Sequence, residues 1–391
     1  MELFHSVNID WMSKAKYFIA CSLILLTVGW VSILYNHGLR YGIDFRGGTL
    51  VVVRFASPPP IDQIRKGLQE AGLRNSTITP ISDISDPNSK NDVQISLETS
   101  AQGQTSIDVD RQAVIDGLHK TFGAASSLPD FNSVSPAALS LYLTQKDPLT
   151  LGSAAGDRYN QLAQRLTAAR DKSGIVTSFD QLKSVDGATP SVIGALAGGY
   201  TLGDFALRSS DSVGPKVGAQ LRNQAIYATL YALLGMLVYI AFRFEWVYGA
   251  AAVIAVFHDV LITLGFFSLR KYEISLTVIA ALLTLVGYSM NDTIVIFDRV
   301  RENLRLMRRE PFNEIVNKSI NQTLSRTILT SGLTLLTVLV LYLLGGEVLR
   351  AFSFAMVAGV VVGTYSSFGI AAPIVVFWNK HSGHGAAMRG G

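Results

Sequence analysis

Cysteine is nearly absent from this 391-residue chain, and charge is scarce. The single cysteine, Cys21, lies in an apolar run and excludes both an intrachain disulfide and a cysteine-built metal site. Charged residues make up 16% of the chain, against about 25% in ordinary soluble domains. No glycine-rich phosphate loop, zinc-protease helix signature or nucleophile elbow occurs. Nothing therefore calls for an ATPase or hydrolase, and no catalytic residue, metal or cofactor is assigned. The formal net charge is +4. Such a basic balance can address nucleic acid, but in an apolar chain lysines and arginines mark cytoplasmic loops, and no nucleic-acid partner is expected.

What the chain has instead is apolar length. Runs at 17–35, 225–242, 247–269, 274–297, 328–344 and 352–378 each reach the length of about 17 residues or more at which an apolar helix can span a bilayer. Mean hydropathy is only +0.33, so a polar domain must dilute these runs. That domain occupies 37–217, between the first and second spans, with the remaining five spans forming a bundle at 218–378. Lys14 and Lys16 precede the first span, which has no small-residue cleavage site after it and is expected to stay as an anchor. Arg243, Lys380 and a loop at 298–325 carrying Arg299, Arg301, Arg305, Arg308, Arg309 and Lys318 add to the pattern. The basic residues place the N-terminal 1–16, the 298–325 loop and the tail 379–391 in the cytoplasm, and the polar domain outside.

The polar domain alternates β-rich and helix-periodic stretches. Strands are expected at 49–55, 76–81, 92–98 and 204–209, and helices at 61–71 and 111–122, with Asp86-Pro87-Asn88 as a turn. Strand-helix-strand-strand-helix-strand order is that of a ferredoxin-like α+β sandwich. Before the first strand stand Asp44, Arg46 and the paired Gly47 and Gly48, which suit a junction between span and domain. A Ser/Ala-rich stretch at 126–201, holding an amphipathic helix at 158–172, is expected to be an insertion. Its order is faintly that of a helix-hairpin-helix module, but Asp186-Gly187-Ala188-Thr189 lacks the paired glycines of a phosphate-holding turn.

Within the 274–297 run lie Asn291 and Asp292. A carboxylate at that depth costs about 2.5–3.5 kcal/mol on insertion scales, and such groups are functional by default. At helical spacing Thr277, Thr284, Tyr288, Asn291 and Asp292 share one face. Arg326, at the expected cytoplasmic start of the fifth span, is the natural counter-charge. Thr327, Thr330, Ser331, Thr334 and Thr337 form a second polar stripe beside it. Facing stripes of this kind suit a proton or ion path, although hydroxyls serve equally as interhelical glue worth about 0.6 kcal/mol each. Asp259, deep in the third span, is a second candidate. His258 beside it is read as a packing or hydrogen-bonding residue, since adjacent side chains diverge by about 100° and do not make one metal site. Gly359-x-x-x-Gly363 is read as a close helix contact.

Six segments resemble a known family: Gly42-Ile-Asp-Phe-Arg-Gly-Gly48, Val213-Gly-Pro-Lys-Val-Gly218, Phe242-Arg-Phe-Glu-Trp246, His258-Asp-Val-Leu-Ile-Thr-Leu-Gly265, Gly287-Tyr-Ser-Met-Asn-Asp-Thr-Ile-Val-Ile-Phe-Asp-Arg-Val-Arg-Glu-Asn303 and Gln322-Thr-Leu-Ser-Arg-Thr-Ile-Leu-Thr-Ser-Gly332. They are similar to the signatures of the SecD/SecF protein-export family, within the resistance-nodulation-division superfamily. The resemblance implies a six-helix, multi-pass protein of the bacterial cytoplasmic (inner) membrane with a periplasmic α+β domain between helices 1 and 2. It further implies a SecD partner and a non-enzymatic role, in which the proton gradient (in some organisms sodium) helps to draw unfolded preprotein through SecYEG after SecA, with YajC and YidC in the wider complex. Family positions carried over make Asp292 and Arg326 the ion-coupling pair, with Asp259 supporting. Asn291, Tyr288, Thr330 and Thr334 belong to the same polar surroundings. The resemblance is not expected to reach 126–201. Two other functions fit the residues alone: a half-size proton-driven exporter of lipids or small molecules, and a passive assembly subunit.

Overall fold

The computed structural model describes residues 8–73, 76–81, 89, 91–97, 106–122, 128–152, 155–243 and 246–381. The expected turn at 86–88 and most of the 379–391 tail lie outside the described residues. The chain forms two compact units, one running to Gly42 and resuming at Gln220, the other spanning Ile43–Ala219.

The first unit is helical. Its elements are α1 (Trp11–Tyr35), α8 (Pro215–Arg243, whose first turn belongs to the second unit), α9 (Trp246–Arg270), α10 (Leu276–Leu306), α11 (Phe312–Leu344), α12 (Gly346–Ser366) and α13 (Ala372–His381). A π-helical turn, Ser367–Ala371, joins the last two, so that residues Leu349–His381 make one continuous span. Six helices are thus long and apolar enough to cross a membrane, as the apolar runs require. Large apolar side chains such as Leu230, Leu234, Leu333 and Leu336 stay uncovered by the rest of the chain. In lipid an outward apolar face costs nothing, because there is no water to avoid.

Several boundaries differ from expectation, and three of the differences shape the helical unit. Helix α1 starts at Trp11, not at 17, because Asp10 caps it by accepting a hydrogen bond from Ser13 N at 3.1 Å. Two asparagines one turn apart on α11 hold this entry. Asn317 Oδ1 accepts from Met12 N and Asn321 Oδ1 from Trp11 Nε1, at 3.0 and 2.9 Å. The basic stretch 298–325 is not a loop. Helix α10 continues to Leu306 and α11 begins at Phe312, leaving only residues 307–311 between them. The stretch is polar, but Asn303, Ile315, Val316, Ser319 and Ile320 bury one face of the hairpin, and Asn303 Nδ2 donates to Ser319 Oγ at 2.8 Å. Its arginines then point outward. The last span is interrupted by the π turn, a feature that sequence periodicity does not carry.

Close helix crossings position the interior. A Cβ added to Gly29 of α1 would meet Gly265 Cα of α9 at 2.8 Å, and the reverse is true at 2.7 Å. Backbone therefore touches backbone there, which only glycine permits. Gly363 of α12 stands against Ser289 of α10, where an added Cβ would meet the serine Cβ at 2.9 Å. Gly359 meets Leu285 on the same helix, so the Gly-x-x-x-Gly pair makes the close contact expected of it.

The second unit holds α2 (Ile43–Arg46), β1 (Gly48–Phe55), α3 (Ile61–Glu70), β2 (Ser76–Ile81), β3 (Asp92–Leu97), α4 (Ser106–Phe122), α5 (Pro136–Lys146), α6 (Ala155–Ser173), α7 (Pro190–Gly199) and β4 (Phe205–Val213). The four strands form one antiparallel sheet in the order β2-β3-β1-β4, the ferredoxin-like order. Helices α3 and α4 cover one face around Val51, Val53, Ile64, Leu68, Ile95 and Leu118. Beneath the sheet's end the Arg54 guanidinium is sealed against Asp92, at 2.6 Å.

The Ser/Ala-rich stretch is folded. Helices α5, α6 and α7 enclose their own core of Phe131, Leu139, Leu143, Tyr159, Leu162, Leu166 and Leu196. Its entry and exit are closed together, with Thr201 N donating to Pro129 O and Phe131 N to Thr201 O, at 3.0 and 2.9 Å. Asn132 bridges Val176 and Gly203. Helix α6 covers the expected amphipathic segment with three more residues at its start.

Candidate functional site

Two carboxylates are sealed inside the helical unit. Asp259 of α9 is 0% exposed and Asp292 of α10 is 2% exposed. Burying an ionised carboxylate is expensive unless donors replace its water, so the donor set of each group decides what it can do.

Asp259 has a full set. His258 Nδ1 stands 2.8 Å from Oδ1, while Oδ2 accepts from Ser289 Oγ of α10 at 2.6 Å and from Ser366 Oγ of α12 at 2.7 Å. Three helices meet on one carboxylate. Ser366 is the residue just before the π turn, and Gly363 lets Ser289 come within reach. Neither serine stands out in the sequence, although Ser289 falls three residues before Asp292 and so shares its helix face. His258 and Asp259 diverge on the helix yet still meet, because the imidazole folds back over its neighbour.

Asp292 has a sparse set. Ser331 Oγ of α11 donates to its Oδ2 at 2.8 Å. Asn291, its neighbour, is exposed, and its amide lies near enough to act on the Asp292 carboxylate without a well-formed hydrogen bond. The hydroxyl of Tyr288 is buried facing Ser331 and Thr334 without a well-formed hydrogen bond. Arg326 is exposed and acts on Asp292 only through space, with no ion pair within 4.0 Å. It stands well inside α11 and not at a helix start, since α11 begins at Phe312.

The threonine stripe is turned inward on its own helix. Thr330, Thr334 and Thr337 donate to the carbonyls of Arg326, Thr330 and Leu333, at 3.0, 2.9 and 3.0 Å. Their protons are used within α11, and Ser331 alone of the stripe makes a hydrogen bond to a buried carboxylate. Asp259 and Asp292 are linked through one turn of α10, because Ser289 binds the first and precedes the second by three residues. Among the described residues no group of three or more His, Cys, Asp or Glu side chains is placed to hold a metal.

These features define a multi-pass α-helical membrane protein with an α+β domain between its first two spans. Residues 196–381 match the profile described as protein export membrane protein SecD/SecF, C-terminal, and residues 32–59 match the SecD/SecF GG motif. The protein translocase subunit SecF of Koribacter versatilis is 47% identical, over 98% of this chain and 95% of its own length. SecF of Rhodothermus marinus is 56% identical, over 96% and 95%. The crystal structure of SecDF, a translocon-associated membrane protein of Thermus thermophilus, superposes with a TM-score of 0.64 at 31% identity, covering 96% of this chain and 39% of that one. This chain belongs to the SecF family of protein translocase subunits. An alignment over 98% of the chain cannot leave out 126–201, so the stretch expected to lie beyond the resemblance is shared with such relatives.

Proposed function

We propose that this chain works beside a SecD-like partner as an accessory subunit of the Sec translocase in the bacterial inner membrane. There it uses the proton gradient to assist export of unfolded preprotein through SecYEG, after SecA has engaged it. The partner is inferred from the longer Thermus polypeptide, of which this chain matches only 39%. The distribution of basic residues supports a topology with both termini and the α10–α11 hairpin in the cytoplasm and the Ile43–Ala219 unit outside. In this reading it acts as a translocase subunit, and no catalytic residue is assigned to it.

The observation that carries the proposal is the bonding of Asp292. It is nine-tenths buried, held by one serine hydroxyl from α11, and has a guanidinium on that same helix that is near but not joined to it. A movement of α11 against α10 changes the distance between the two. Approach of Arg326 favours release of the Asp292 proton, and withdrawal in dry surroundings favours its uptake. Alternating the two states on opposite sides of the membrane would convert proton passage into helix movement. Arg326 is suited to this by its permanent charge and planar donor fork. Asp259, with its donors filled, is the fixed point of the bundle, and Asn291, Tyr288, Thr330 and Thr334 line the site that changes.

The experiment is gradient-dependent release of preprotein from membrane vesicles that contain the partner. Asp292→Asn should insert normally and abolish stimulation by the gradient. Arg326→Lys should lose much of it and Arg326→Ala nearly all, with a topology reporter on residues 307–311 unchanged. Full stimulation in Asp292→Asn would remove the coupling role, and an inverted reporter in Arg326→Ala would reduce Arg326 to an orientation signal.

A further inference from the structure

Of the basic side chains on the α10–α11 hairpin, Arg299 meets Glu302 at 2.6 Å and Lys318 meets Glu310 at 4.0 Å. The others are not neutralised in this way. Arg301, Arg305, Arg308 and Arg309 are exposed, and none has an acidic group within 4.0 Å among the described residues. Arg301 and Arg305 stand one turn apart on one face of α10, and Arg308 and Arg309 lie in the turn that follows. The frame beneath them is braced. Asn303 Nδ2 donates to Ser319 Oγ and Gln322 Oε1, both at 2.8 Å, and Arg299 Nε donates to the same Gln322 oxygen at 2.7 Å.

Tryptophan fixes the height of this surface. Tryptophans gather where hydrocarbon gives way to headgroups. Trp11 at the start of α1, Trp246 at the start of α9 and Trp378 near the end of α13 mark this end of the bundle. The last two pack edge to face at 4.8 Å. Trp11 Nε1 donates to Asn321 Oδ1 of α11 at 2.9 Å. The bonds from Asn303 to Ser319 and from Arg299 to Gln322 bracket Arg301 and set it level with Asn321, hence with Trp11. Arg305 stands one turn, about 6 Å, further out. The headgroup layer is itself about 5–8 Å deep, and a long arginine side chain bends back over such a distance.

We propose that these four arginines form a docking surface for anionic phospholipid, held by its headgroup phosphate. A guanidinium offers phosphate two parallel donors, which an ammonium does not. The phosphates of the surrounding leaflet lie at the arginines' own height. A dissolved polyanion such as RNA matches the charge but not that height. No covalent bond changes, and the contact needs neither the export function nor a particular orientation of the chain.

The test is photocrosslinking of the full chain in lipid nanodiscs. Phosphatidylglycerol and phosphatidylcholine carry the same photoreactive group at the top of an acyl chain, and labelled peptides are mapped by mass spectrometry. One arginine near an anionic surface is worth about fivefold. Labelling of residues 299–311 should therefore favour phosphatidylglycerol by about fivefold or more at low salt, and molar salt should erase the preference. Combining Arg305→Gln, Arg308→Gln and Arg309→Gln should bring it below about twofold, while Arg299, Arg301 and Lys318 remain to hold the topology. Equal labelling of the native chain by the two lipids would overturn the proposal, and so would a preference unchanged in the triple variant. Should that variant fail to insert, the native comparison decides alone. In discs of phosphatidylcholine the native chain should not retain a short single-stranded RNA. Retention that the triple variant loses, without any preference between lipids, would make the surface a nucleic-acid face and overturn the lipid contact.

Discussion

Asp259 and Asp292 sit in one helical bundle, both sealed from solvent and joined through one turn of α10, yet they are bonded in opposite ways. Asp259 accepts well-formed hydrogen bonds from three side chains on three helices, and Asp292 one, from a serine, with the Asn291 amide nearby. A carboxylate with its donors filled ties helices together. A carboxylate with one well-formed donor and a detached cation nearby depends on the position of that cation for its charge. Burial alone does not tell the two groups apart; their donors do, and the coupling role proposed for Asp292 rests on that difference.

The contrast can be broken most severely at Asp259. Asp259→Ala strips a common acceptor from Ser289, Ser366 and His258, and should destabilise the bundle by about 3 kcal/mol or more, since three buried groups lose one hydrogen-bond partner together. Unfolding of the purified protein in micelles measures it; a loss below about 1 kcal/mol would mean the three bonds do not hold the helices. Ser331→Ala comes next. It leaves Asp292 without its serine donor, so stability should fall by about 1.5–3 kcal/mol and gradient-driven export should be impaired. Asp292→Asn should change stability by less than about 1 kcal/mol, since the amide keeps an acceptor for Ser331, while export coupling is lost. A large loss of stability there would make the two carboxylates alike.

The smallest effect serves as an outside control. Asp147, beyond the spanning helices, also has three donors: Leu151 N, Tyr159 Oη and Gly152 N, at 2.8, 2.8 and 3.1 Å. The Leu151 and Gly152 amides, with Tyr159, hold its carboxyl below the usual range. A lowered folded value means that its contribution is present above the ordinary carboxylate range, near pH 4, and is lost as pH falls through the folded value. Helical circular dichroism of the full chain should therefore show a small acid-induced loss that is absent in Asp147→Asn. Equal loss in both would deny Asp147 any part in it.

Much of this was open to a reader of the sequence. Six apolar runs, the strand and helix order of the sheet, and a carboxylate within an apolar helix all follow from periodicity and length. Asp292 stands out because nothing else in its run is charged. The partners of Asp259 do not, since Ser289 and Ser366 are ordinary residues until Gly363 and the π turn bring them together. Likewise the core of 126–201 is built from single leucines and aromatics spread among serines and alanines, which composition averages away. The α10–α11 hairpin was hidden by its arginines, whose number outweighs the thin buried stripe of Asn303, Ser319 and Ile320. Arg326 kept its place in sequence, but its separation from Asp292 is a matter of helix position that no spacing rule supplies.

The central claim is that Asp292 itself gains and loses the proton. Infrared difference spectroscopy of the protein with its partner in lipid, recorded between low and high pH on the proton-accessible side, reads this as a protonated-carboxyl stretch that appears and disappears. The band should vanish in Asp292→Asn and persist in Asp259→Asn. A band unaffected by Asp292→Asn, or one removed only with Asp259, would contradict the assignment of the coupling group.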